Sequence, residues 1–580
     1  MRIAINHFCS IALLAVMTAC GSGTSEVDFA RSLGVKAPAE MVLRGGKIIT
    51  MDGDSSVKEA LAIRDGRFIA VGTNRDMRPF TGPRTRIIEL AGRTVIPGLI
   101  DSHVHATSAC LNWDEEIHWE RTRSLIDGLR QIESAAKASP PGTWVVVGGG
   151  WVPTQFAERR FPSRAELDAI APQHPVYIQY LNQGALLNSA ALAAAGITRA
   201  SADPPGGRFE RNPSSGDLTG WLQSAAAWEL VYDKIPRAPL NKARESLKNC
   251  FHELNRLAIT SVGDLHGRRV GFAQRRLLND MRSTGDLTVR ISFYLGASDT
   301  GDAVEQLRSA MAEIKQLPQN DMFRFAGFYQ VLPNIGDTLA DPKAALTPAA
   351  REKFRRLAQF FAESERSFRV EATHDAGARQ LLDILEEVNA ATPFAPRRIG
   401  FAHLESATAE TVARIKKLGG GISVQDRLVM TGERNAELWG LALAREAPPL
   451  RAMLESGVPL GAGSDGFRAV NYSPMLSLWW LVTGKTVAGT ALRGHEQNLT
   501  REEALRLYTV GSAWFSFEEG RKGSIEPGKL ADLAVLNADY ITVPDDQIRA
   551  LESLLTVVGG RVVYAAEPYK QVEKTDKHLR

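Results

Sequence analysis

The sequence predicts an α/β fold: a (β/α)8 TIM-like barrel with a small β-sandwich domain built from N- and C-terminal strands. Three observations predict it. Between residues 97 and 517, short β-rich runs alternate with helical patterns, which argues for a parallel sheet with helices outside, and this many units favours a closed barrel. At the two ends, residues 39–96 and 518–566 share a texture of short strands and turns; a lone hairpin is not stable by itself, so these distant strands are expected to form one module embracing the middle. The composition, 44% hydrophobic and 23% charged over 580 residues, supplies an ordinary globular core.

In chain order, residues 1–20 put Arg2 before an apolar stretch and close on the small residues of MTAC. This reads as a lipoprotein-type signal peptide, too short to span a bilayer permanently, with Cys20 as the lipidated first residue of the mature chain. The expected location is the bacterial envelope, anchored and facing the periplasm or exterior; a secreted or soluble periplasmic product is the alternative. Residues 21–38, rich in Gly, Ser and Ala, read as a flexible tether.

The tetrad Arg64-Asp65-Gly66-Arg67 between apolar runs is a hairpin signal, and Pro527-Gly528 and Gly559-Gly560 mark turns in the C-terminal part. In the barrel, the runs AITSVGDL, TVRISFYL, MFRFAGFY, FRVEATH, RRIGFAHL, GGISVQD and GVPLGAGSD follow the opening VIPGLIDSHVHA. An insert at about 111–236 separates that first strand from the rest. Its segment PPGGRFERNPSSGDLTG reads as a loop or hairpin, and inserts in this position tend to cover the mouth of a site. Residues 567–580 read as a solvated tail. Of the four cysteines, Cys110 and Cys250 fall in the body; they are expected to be two separate buried thiols rather than a bridge. Sixty-nine basic against 66 acidic residues give a net +3 without a basic stripe, so nucleic acid is excluded as a partner.

The chemistry sits at strand ends. In an extended strand side chains alternate, so His103 and His105 point the same way at the rim where barrels carry active sites. His374 closes VEATH, His403 closes RIGFAH and Asp465 closes VPLGAGSD. Four imidazoles and a carboxylate converging on one rim suit Zn²⁺ or a similar divalent ion, which activates water and polarises a carbonyl, with Asp465 placed as general base. His266, with Asp264, ends another strand, and Gln425 in SVQD sits on the strand end after His403; His266 and Gln425 are candidates for binding a small-molecule substrate. His118 and His174 are expected to be structural or surface residues, and Trp151, Trp221, Trp479 and Trp480 to belong to the core.

The order GLIDSHVHA, two strand-end histidines, a strand-end aspartate and the closing GSIEPGKLADLAVL resembles the amidohydrolase superfamily. NSAALAAAGI, the glycine-rich insert segment, SVQD and Ser473-Pro474 make it similar to the YtcJ-like branch, the amidohydrolase 3 group. The resemblance covers residues 40 to 566. It implies a barrel with a β-sandwich and metal-dependent hydrolysis of non-peptide C–N bonds in a small amide or cyclic amide. His103 and His105 would bind one metal position, His374 and His403 would bind or border a second, and Asp465 would contact metal and act as base. Many members carry a bridging Lys at the end of the fourth strand; here Arg324 stands at that place, and Arg cannot be deprotonated for ligation. One ion is therefore expected rather than two. The insert also has Gln183-Gly184 and Ser224 where the branch usually carries His and Glu. Two other readings follow from the same residues: a non-catalytic ligand- or metal-binding lipoprotein on a degenerate barrel, and a deaminase.

Overall fold

Eight β-rich runs are buried along their length, with Arg324 alone half-buried, because helices cover one face and neighbouring strands fill the other. The computed structural model describes residues 37–572 apart from 266–269, 299–300, 333–334, 336–340, 365 and 396. The leader with Cys20, most of the tether, His266 and the end of the tail lie outside the described residues. The barrel strands are β1 (Leu99–Val104), β2 (Ile259–Asp264), β3 (Arg290–Leu295), β4 (Phe323–Gln330), β5 (Ser367–Ala372), β6 (Ile399–His403), β7 (Gly421–Gln425) and β8 (Leu460–Gly463). Each pairs in parallel with the next, from β1 to β8. Helices such as Asp375–Ala391 and Ala409–Lys417 fall between them, as the sequence predicts.

The seam between β8 and β1 is closed by polar groups rather than by a regular ladder. Asp465 donates its backbone N–H to the His103 carbonyl at 2.8 Å, and the buried Asp101 carboxylate accepts from the Ser464 N–H at 3.0 Å and the Ser464 hydroxyl at 2.6 Å. Gly463 makes the approach possible: a Cβ there would lie 2.5 Å from the His103 nitrogen.

The terminal strands meet as expected. One sheet contains Arg67–Gly72, Ala60–Arg64, Met41–Arg44 and Arg86–Glu89; a six-stranded sheet joins Leu533–Leu536 antiparallel to Thr94–Pro97. Leu43, Ile48, Leu61, Val95, Leu533 and Val557 share the core between them. Asp65 and Gly66 both take positive φ (52° and 68°), the backbone a tight hairpin requires. Arg290 on β3 ties the barrel floor to this module through a buried ion pair with Asp532, Nε to Oδ2 2.7 Å.

The insert is more ordered than a loop. Its strands form a six-stranded sheet, of which Arg208–Arg211 and Leu218–Gln223 are the antiparallel hairpin. The expectation of two separate thiols is overturned: Cys110 and Cys250 are bridged, with S–S 1.99 Å and Cα–Cα 5.4 Å. The short helix Ala106–Cys110, directly after the His-x-His segment, packs on the helix Leu240–Arg256, and that contact, invisible in sequence, brings the sulfurs together. Among the described residues no helix is long and apolar enough to cross a membrane.

Candidate metal centre and active site

The barrel delivers His103 from β1, His403 as the last residue of β6, and Asp465 just beyond β8 to one buried point. Their ligand atoms all lie within 4.8 Å of one another. Asp465 Oδ1 is 3.4 Å from Nε2 of His103 and 3.4 Å from Nε2 of His105, so both residues of the His-x-His pair address the same carboxylate. His403 (φ 75°), Leu404 (φ 55°) and Asp465 (φ 59°) take left-handed backbone conformations that non-glycine residues rarely adopt, and such strain concentrates at functional sites.

A second carboxylate, Glu371 near the end of β5, was not singled out from the sequence. Its Oε1 lies 3.2 Å from His103 Nε2 and 3.3 Å from His403 Nε2. The Tyr329 hydroxyl donates to that same oxygen. One signal was available: Arg369 and Glu371 place two charges at alternate positions of a strand that is buried throughout, which a purely structural barrel strand avoids.

Arg324 does not stand at the end of the fourth strand. It is the second residue of β4, at the floor of the barrel, where Nη1 lies 3.3 Å from Glu518. The end of that strand carries Tyr329 and Gln330, because β4 runs six residues beyond Arg324. The position addressing the candidate metal centre from β4 is thus Tyr329, acting through Glu371.

His374 does not join the group of mutually close ligand atoms. It sits at the N-terminus of the helix Asp375–Ala391, with Nδ1 2.8 Å from the Ser406 hydroxyl and its ring edge-on to Trp439. Gln425 commits both ends of its amide inside the protein: Oε1 accepts from the His403 N–H at 2.7 Å and Nε2 donates to Ser423 Oγ at 2.8 Å. It thereby holds the backbone of His403 in place. Asp264 accepts from both the backbone and the hydroxyl of Thr107, tying down the chain after the His-x-His pair. A buried pair, Arg427 Nη2 to Glu405 Oε1 at 2.6 Å, braces the segments that follow β6 and β7. The insert reaches this rim: Arg468, three residues after Asp465, donates to Gln179 at 2.9 Å and to the Tyr232 hydroxyl at 2.8 Å, and pairs with Glu116.

The charges fit a cation. Burial pushes Glu371 up, but the adjacent imidazoles of His403 and His103 outweigh it and hold the carboxyl well below its ordinary range. Asp465 is likewise pulled down, burial being overcome by the imidazoles of His103 and His105 that face it. His105 is raised, since its bond to Asp465 outweighs the opposing effect of burial. Tyr329 is pushed well up by burial and by the Glu371 charge, so its hydroxyl remains a donor. Both ring nitrogens of His103 and of His403 are buried without a hydrogen-bond partner among the described residues. Orphaned imidazole nitrogens facing two ionised carboxylates are a donor set that suits a divalent metal.

The pattern of the amidohydrolase family matches residues 86–564. The chain belongs to that family, in its YtcJ-like branch. It is a hydrolytic enzyme acting on C–N bonds. It is 27% identical to the N-substituted formamide deformylase of Arthrobacter pascens, over 90% of this chain and 98% of the relative. It is 24% identical to YtcJ of Bacillus subtilis, over 90% and 99%. Among solved structures it shares the fold of a metal-dependent hydrolase from Pyrococcus horikoshii, with TM-score 0.64, 20% identity, and coverage of 87% of this chain and 99% of that one. It also shares the fold of an atrazine chlorohydrolase from Arthrobacter aurescens complexed with zinc, with TM-score 0.52, 16% identity, and coverage of 93% and 99%.

Proposed function

We propose that this amidohydrolase hydrolyses the C–N bond of a small amide or cyclic amide, with one Zn²⁺ held by His103, His105, His403, Glu371 and Asp465. The observation that carries the reading is the convergence of two ionised carboxylates on the unpartnered ring nitrogens of His103 and His403. The named activity of the Arthrobacter pascens relative and the zinc named with the atrazine chlorohydrolase support the substrate class and the ion. A divalent ion, when bound, supplies polarisation of the substrate carbonyl and lowers the pKa of adjacent water. The rest falls to the chain. Asp465 takes the proton of the attacking water and delivers it to the leaving nitrogen, so that an amide and water become a carboxylic acid and an amine. Tyr329 holds Glu371 by its hydroxyl, Gln425 holds His403 by its backbone, and the insert, clamped by Arg468, limits access of bulk water.

The proposed location is the bacterial envelope, lipid-anchored through Cys20, and the Cys110–Cys250 bridge supports an oxidising compartment. A Cys20→Ala variant should move from the membrane to the soluble fraction.

Elemental analysis of the natively purified protein, with assays on N-substituted formamides, linear amides and cyclic amides, tests the function. About one metal equivalent is expected, lost in His103→Ala, with hydrolysis lost in Asp465→Asn. Full activity in both variants overturns the reading, and ammonia released without loss of an acyl group identifies a deaminase instead.

A further inference from the structure

A buried barrel strand has no packing need for a cation, yet Arg369, in the middle of β5, is 1% exposed. It makes no ion pair among the described residues, and its Nε and Nη2 have no hydrogen-bond partner. What holds the guanidinium is aromatic. It lies over the Tyr294 ring on β3, 5.6 Å from the centroid, and over the Phe515 ring, 4.7 Å away, both within cation–π range. The Tyr294 hydroxyl donates to the Phe515 carbonyl at 2.7 Å, so the two rings are fixed to each other. Gly400 on β6 leaves the space: a Cβ there would lie 3.2 Å from Arg369 Cγ and Nε. Burying a charge on such terms is costly, and its hydrogen bond falls next to the metal centre.

Nη1 of Arg369 reaches from β5 to β1 and donates to the Ser102 carbonyl. That carbonyl belongs to the peptide unit whose N–H is that of His103, and this N–H donates to Asp101 Oδ1 at 3.1 Å. The Ser102–His103 peptide is thus held at its oxygen by a cation and at its nitrogen by a carboxylate, two charge-assisted bonds on one rigid plane. β1 is irregular at this point: Val262 of β2 pairs with Asp101 but Asp264 pairs with Val104, so Ser102 and His103 stand opposite Gly263 alone. A bulge of this kind disrupts the ladder and re-aims a side chain. A plane not secured by a regular ladder can turn, and the His103 Cα–Cβ bond turns with it.

We propose that Arg369 is a positioning residue of the metal centre, holding the Ser102–His103 peptide so that the His103 imidazole faces Glu371 and Asp465. The role rests on the reading of His103 as a metal ligand. It differs in sign from a charge effect. A cation near a divalent ion repels it, so loss of the charge alone would tighten metal binding, whereas loss of the peptide's support weakens it.

Titration of the metal-free full chain with Co²⁺, read from the visible absorption of the bound ion, separates the two. Arg369→Met is expected to weaken Co²⁺ binding about ten- to a hundredfold and to alter the bands, since a partner that orients a ligand is lost. Arg369→Lys keeps the charge and a donor but not the planar fork that the rings hold, and is expected to fall between. Tyr294→Phe loosens the same layer without touching the Ser102–His103 peptide; it should lower the melting temperature and leave the Co²⁺ affinity and bands as they are. Wild-type affinity or tighter binding in Arg369→Met overturns the proposal, and so does equal weakening in Tyr294→Phe. Where Arg369→Met does not fold, wild-type affinity in Arg369→Lys overturns it. A wild-type protein that takes no Co²⁺ counts against the metal reading, and the crystal structure of Arg369→Lys then decides: a His103 Nε2 shifted from Glu371 Oε1 by more than about 0.5 Å is expected, and an unmoved imidazole overturns the proposal.

Discussion

The hydroxyl of Tyr329, near the end of β4, donates to the one oxygen of Glu371 that also faces the ring nitrogens of His103 and His403. Tyr329 therefore fixes which way that carboxylate points. Tyr329→Phe keeps the ring and removes only the donor; because partners of this kind orient metal ligands, activity should fall by about ten- to a hundredfold with the fold intact. Glu371→Gln removes the charge itself and should also lower the metal content. Steady-state kinetics and elemental analysis of the two variants separate the roles, and a Tyr329→Phe enzyme of full activity would remove the tyrosine from the site.

The seam between β8 and β1 gives a second expectation. A methyl group at Gly463 would meet the His103 nitrogen at 2.5 Å and the Asp101 Oδ1 at 2.8 Å, atoms held by the backbone and a buried network. The strands would have to separate to admit it, and His103 moves with them. Gly463→Ala should cost about 1–3 kcal/mol of stability and weaken metal retention. Thermal melting and metal content check it; an unchanged melting temperature would mean that the seam is looser than it stands here.

The Cys110–Cys250 bridge closes a segment spanning 140 residues of sequence separation and anchors the helix that begins immediately after His105. On loop entropy alone a cross-link over that span contributes about 4–5 kcal/mol. Reducing agent should therefore lower the melting temperature of the native protein and leave a Cys110→Ser/Cys250→Ser variant unmoved, while that variant melts lower than the oxidised protein. Equal melting of both under oxidising conditions would show that the packing of the two helices suffices.

These three cases mark what the sequence could and could not disclose. Each barrel strand was legible because it is a short apolar run with helix patterns between, and the ends of those runs named His103, His403 and Asp465. Glu371 was hidden because only the close approach of β5 to β1 and β6 turns a strand carboxylate into a neighbour of two imidazoles. Arg324 was misplaced for a related reason: a motif read without the strand's length does not say which end of β4 it occupies. The disulfide depended on a helix contact between residues 140 apart in sequence.

The last expectation concerns pH. Glu503, in the helix Arg501–Arg506, accepts from both terminal nitrogens of Arg451 at 2.8 and 2.7 Å and from the Thr500 N–H at 2.7 Å. The Arg451 hydrogen bonds are the largest cause of a pKa pulled from 4.5 down to about 2, with burial opposing. A carboxyl with a depressed folded-state pKa contributes stability that is fully present above its unfolded value and lost as pH falls through the folded value. The contribution is thus complete above about pH 4.5 and fades toward pH 2. The pair is about one-third exposed, so solvent screening limits it to about 1 kcal/mol, less at high salt. Glu503→Gln keeps an acceptor for the Thr500 N–H and removes the charge. Denaturant titrations should show the variant less stable at pH 7, with the difference shrinking as pH drops below 4.5; a difference that stays constant down to about pH 3 would assign it to packing rather than to the ion pair.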